Sequence, residues 1–93
     1  MTEWTTTTRP VERTDTVYTT VVEGLQVEVE DHHGYISWSV AGYLDDIQIF
    51  ATGNSISTAA KLAQMQDAAV SAARRLHALG VRAEKSATPK DPA

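Results

Sequence analysis

The chain has 93 residues, with 8 lysines and arginines against 12 aspartates and glutamates, a net charge of -4 and no cysteine. One domain at most fits this length. Disulfide scaffolds, thiol catalysis and Cys-type zinc sites are excluded, and so few bases argue against a phosphate-binding surface.

From the N-terminus, Met1-Thr2-Glu3-Trp4 lacks the basic and apolar regions of a signal peptide, so the expected compartment is cytoplasmic. No run approaches the roughly 18 apolar residues that span a membrane. Nine of the twelve threonines lie in the first twenty residues, and Thr5 to Thr8 followed by Arg9-Pro10 shows neither helical nor alternating hydrophobic period. Residues 1–15 therefore read as a flexible extended tail, with Trp4 as a docking anchor in reserve. A single domain is expected over 16–82, followed by a disordered tail over 83–93 that holds two prolines and nothing to bury.

Within the domain the period is first 2 and then 3.6. Strands are predicted at about 17–22, 25–31, 35–40 and 46–52, where apolar residues such as Leu25, Val27 and Val29 alternate with Gln26, Glu28 and Glu30. Glu23-Gly24 reads as a hairpin turn, Asp31-His32-His33-Gly34 as the next and Gly42 to Asp45 as the third. Such short connections demand antiparallel neighbours. A helix is predicted over about 57–79, with a stripe of Leu62, Met65, Ala69, Ala72, Leu76 and Leu79, capped by Ser55 or Ser57 and ended by Gly80. The fold class is therefore α+β: a four-stranded, or at least three-stranded, antiparallel meander covered on one face by a long C-terminal helix that must overhang strands of only six residues or cross them diagonally.

Pairing 22 with 25, 29 with 36 and 40 with 47 divides the strands into two faces. One carries Tyr18, Val22, Leu25, Val27, Val29, Ile36, Trp38, Val40, Ile47 and Ile49 and is the expected core. The other carries Val17, Val21, Glu28, Glu30, Tyr35, Ser37, Ser39, Asp46 and Phe50, with nothing left in the chain to cover it. Charge is divided too. From Thr14 to Ala60 there are seven acids and no lysine or arginine, whereas from Lys61 onward six bases face three acids. An acidic sheet half and a basic helix half suit a molecule steered toward a basic surface.

Asp31-His32-His33 resembles the Asp-His-His signature of a phosphoesterase superfamily, which would imply a metal pair. The likeness covers three residues of 93 and no further acidic motif accompanies it, so neither a metal nor a cofactor is expected. Ser37 and Ser39 have no histidine placed by pattern to activate them, and Asp45 and Asp46, being adjacent, point to opposite faces of a strand. No enzyme class gains support. Arg74, Arg75 and Arg82 lack interleaved aromatic residues, so direct nucleic-acid binding is not expected. The function expected is a non-enzymatic regulator or inhibitor that docks its acidic sheet half, through Glu28, Glu30, Tyr35, Asp46 and Phe50, on a basic surface of a larger protein, one that handles nucleic acid being a candidate. Small acidic phage inhibitors of host defence, anti-CRISPR proteins among them, are similar in size and charge. The alternative is a structural or accessory homodimer, joined through the overhanging helix or an edge strand at Val17 to Val22.

Overall fold

A computed structural model describes residues 3–10, 14–32, 34–56 and 58–84. Five strands, β1 (Thr5–Pro10), β2 (Thr14–Val22), β3 (Leu25–Asp31), β4 (Tyr35–Leu44) and β5 (Ile47–Ile56), precede one helix, α1 (Ala59–Ala78). The strands form one antiparallel sheet in chain order, with α1 packed across one face. The α+β meander expected from the sequence is present, but its strand count is five, not four. The extra strand lies in the stretch read as a tail: β1 pairs with β2 from Thr5↔Thr19 to Pro10↔Thr14. Threonine is β-branched and suits an extended backbone. Thr5 to Thr8 are all exposed, so no hydrophobic alternation marks the strand. Of the C-terminal stretch 83–93, residues 85–93 lie outside the described residues.

The β2–β3 hairpin turns at Glu23-Gly24, both at positive φ (52° and 83°), the geometry that matches strand twist. Beyond it the strands run longer than expected. β4 continues to Leu44 and pairs with Ile47, so the last turn is Asp45-Asp46, with Asp45 at φ 60°, and not Gly42 to Asp45. Val29 pairs with Trp38 and Val40 with Ala51, offsets of two (38 against 36) and four (51 against 47) from the expected partners. Both offsets are even, so each side chain keeps its expected face.

Leu25, Val27, Val29, Ile36 and Val40 are fully buried beneath α1, which contributes Ala69 and Ala73. Alanine at the helix centre lets its backbone approach the sheet, while Leu62, Met65, Val70 and Leu76 pack around it. Three expected placements change. Ile47 is 61% exposed, because it sits on an edge strand at the turn. Leu79 is 74% exposed, because it is the C-cap residue past the last turn. Val17 is only 3% exposed although it faces away from α1, because β1 makes β2 an interior strand and sets Thr7 and Glu30 on either side of it. The expected edge at Val17 to Val22 is thereby covered over Val17 to Thr19.

The helix is capped by Thr58, whose Oγ1 accepts from the Lys61 N–H at 3.1 Å; Ser55 belongs to β5, and Ser57 lies outside the described residues. At its C-terminus the Val81 N–H donates to the Leu76 carbonyl and the Gly80 N–H to that of His77, both at 3.0 Å. This is a Schellman ending, with Gly80 at φ 106°. Twenty helical residues span about 30 Å and the ten of β4 about 33 Å, so the mismatch of length expected from six-residue strands is absent. After it, Val81 is buried and Arg82 exchanges two backbone hydrogen bonds with Tyr43 at 2.7 and 2.8 Å. Gly42 permits this return, since a β-carbon there would collide with Val81 and the Arg82 carbonyl. Trp4 is engaged at home, packing against the core. Thr20 Oγ1 holds its neighbour by donating to the Glu3 carbonyl at 2.6 Å. No helix among the described residues is long and apolar enough to cross a membrane.

Candidate functional site: the open sheet face

The sheet face away from α1 is arranged in cross-strand rows fixed by the register. Thr7, Val17, Glu30, Ser37 and Asn54 form one row, and Thr5, Thr19, Glu28, Ser39 and Thr52 the next. Toward the β2–β3 turn lie Val21, Gln26, Ala41 and Phe50; at the opposite end lie Tyr35 and Ile56. Phe50, Tyr35 and Ile56 are 63%, 51% and 73% exposed, so large apolar side chains flank a polar centre. The register also sets Arg9 of β1 on this face, opposite Asp15, and no other lysine or arginine belongs to these rows.

A polar cluster closes the Tyr35 end. The strand period carries past Asp31, so His32 falls on the same face as Glu28 and Glu30. Its N–H donates to the Tyr35 carbonyl at 2.8 Å, and its ring stacks on the Tyr35 ring with centroids 4.4 Å apart. His32 Nδ1 lies 3.1 Å from Asp15 Oδ2, and Nε2 lies 3.1 Å from Ser37 Oγ and 3.9 Å from Glu30 Oε1. The Asp15 carboxylate accepts from Nδ1–H, and Nε2 and the Ser37 hydroxyl are hydrogen-bonded to each other. One imidazole at the end of β3 thus links Asp15 of β2 to Ser37 of β4, with Glu30 alongside.

Two chemistries are suggested by this cluster and are limited by its surroundings. Asp15, Glu30 and His32 offer one ligand atom each within 4.8 Å of one another, a set able to converge on a cation. As placed, however, the carboxylates lie at opposite nitrogens of the ring, and a single cation takes only one nitrogen. Carboxylate, imidazole and hydroxyl also stand in the order of an acyl-transfer triad. The sequence placed no histidine near Ser37, and the structure does. Yet Ser37 lies mid-strand between β3 and β5, where its N–H belongs to the ladder and not to an oxyanion hole. Glu30 crowds the nitrogen that would act as base.

Glu28, Glu30, Tyr35 and Phe50 all lie on the open face, with Glu28 and Glu30 central and Tyr35 and Phe50 toward opposite ends. Asp46 does not join them, because it occupies the β4–β5 turn. Asp15 and His32 were missed as members of this surface. His32 was legible in the alternation 28, 30, 32, whereas Asp15 becomes a neighbour only through the β2–β3 pairing. The division of charge has a direction: Lys61, Arg74 and Arg75 are on the helix, across the sheet from Glu28 and Glu30. Comparison with known proteins finds no matching family model, no matching curated protein and no matching solved structure.

Proposed function

We propose that this chain is a non-enzymatic protein-binding module that lays its open, acidic sheet face on a basic surface of a larger protein and thereby regulates or inhibits it. The observation that carries the reading is the uncovered face itself, where Glu28 and Glu30 lie between exposed Tyr35 and Phe50 and the strands from Thr14 to Ile56 hold no lysine or arginine. Flat apolar anchors around a charged centre suit a protein surface, whereas a small substrate needs a concave pocket. The basic helix on the far side orients the molecule as it approaches, so that the acidic face arrives first.

The reading is tested by capture from a lysate of the source cell, treated with nuclease, using four tagged forms: wild type, Glu28→Lys with Glu30→Lys, Phe50→Ala, and Arg74→Glu with Arg75→Glu. A protein retained by wild type and the helix variant, and held at least about tenfold more weakly by the two face variants, is the expected result. Equal retention by the charge-reversed face would overturn the assignment. Circular dichroism establishes that each variant is folded, which matters for Glu30 because it approaches His32.

A further inference from the structure

The two edges of the sheet are built differently. β1 ends in Arg9-Pro10, a charge and a residue without an N–H, both of which discourage further pairing. β5 is ten residues long, Ile-Gln-Ile-Phe-Ala-Thr-Gly-Asn-Ser-Ile, without a charged residue or a proline. Its unpaired backbone groups can be assigned. Tyr43 uses its N–H and C=O toward Arg82, on the side of β4 away from β5, so Tyr43 and its partner Gln48 are a non-hydrogen-bonded pair. By the alternation of an antiparallel ladder, Gln48, Phe50, Thr52, Asn54 and Ile56 aim their N–H and C=O groups outward.

A second feature runs along the same edge. On the helix side a groove of about 420 Å³ separates β5 from α1, lined by Trp38, Ala51, Ala68, Ala72, Arg75 and Leu76. It is mainly apolar, and its helical wall carries Ala68 and Ala72 beside Ser71, Arg75 and Leu76.

We propose that β5 pairs antiparallel with β5 of a second copy about a two-fold axis, giving a ten-stranded sheet with both α1 helices on one face and the two apolar grooves joined across the new strand pair. Three observations favour a second copy as the occupant. A strand without charge meets itself with no like-charge contact, which the acidic β3 would not. The open edge and the apolar helix wall lie next to each other, so each copy supplies the two surfaces that the other leaves open. Full overlap in the permitted parity places Thr52 opposite Thr52, with the small Ala51 and Gly53 beside it on the helix side. The axis is perpendicular to the sheet, so both acidic faces stay uncovered and the proposal stands apart from the function proposed above.

The test is sedimentation of the full chain and of Thr52→Lys and Thr52→Glu, alone and mixed, from about 1 to about 100 µM. Thr52 is an exposed side chain, so both variants retain the monomer fold. The expected result is a wild-type dimer, at least about tenfold weaker association of each variant alone, and recovery of the dimer when Lys and Glu variants are mixed. A monomeric wild type over this range, variants that associate as wild type does, or a mixture that stays monomeric would each overturn the pairing through Thr52.

Discussion

Trp38 and Gly53 are cross-strand partners on the helix side of the sheet, and the indole lies over the glycine so closely that a β-carbon at 53 would intrude on its Nε1 and Cε2. Neither residue explains itself. Trp38 has the space of its partner's missing side chain, and Gly53 sits inside a strand where glycine ordinarily weakens pairing. Gly53→Ala is therefore expected to destabilise the fold by about 1–3 kcal/mol through overpacking, although alanine has the better strand backbone. Denaturant unfolding followed by tryptophan emission checks this, and an unchanged or raised midpoint would show that the indole moves aside without cost. Read along the sequence, Gly53 is punctuation after a strand; its true reason lies 15 positions away, at Trp38. Gly42 misleads in the same way, since what it makes room for is Val81.

At the scale of elements, what could be read from the sequence depended on burial. β3, with alternate residues fully buried, is bounded in the structure where its pattern ends, and α1 differs from its expected limits by one or two residues because Thr58 and Gly80 punctuate it. β1 left no trace, since an edge strand of exposed threonines has backbone pairing without a hydrophobic face. β5 was legible only over its first half, where Ile47, Ile49 and Ala51 alternate; from Thr52 onward small and polar residues give no period. The open face followed from parity alone, but its Asp15, His32 and Ser37 cluster required knowing how far β2 and β3 run together. Removing residues 1–10 tests whether β1 is structural. Trp4 and its contacts are lost with it and Val17 loses its flank, which together cost about 2–3 kcal/mol by burial. The truncated chain is expected to melt about 10 °C or more below the full one. Scanning calorimetry that finds equal melting temperatures would assign β1 no part in stability.

Over the whole molecule, charge and topology agree in direction. The meander keeps the acidic β2 and β3 together, and the single helix brings Lys61, Arg74 and Arg75 to the other side of the sheet, so charge among these elements is divided across it. Association through the acidic face should weaken at least about tenfold between about 0.05 and 0.5 M salt, as the screening length shrinks from about 14 to about 4 Å. Surface plasmon resonance on the captured partner reads this as a slower on-rate. An affinity insensitive to salt would place the apolar residues, not the carboxylates, in command of binding. The hydrogen-bonded pair of Tyr43 and Arg82 has a mechanical consequence. It lies between α1 and whatever chain follows residue 84, and its two bonds join the helix's exit to an interior strand. A load drawn from that end stretches this clasp before it reaches the helix, so anything tethered there can tug on the domain while the core beneath α1 stays shut.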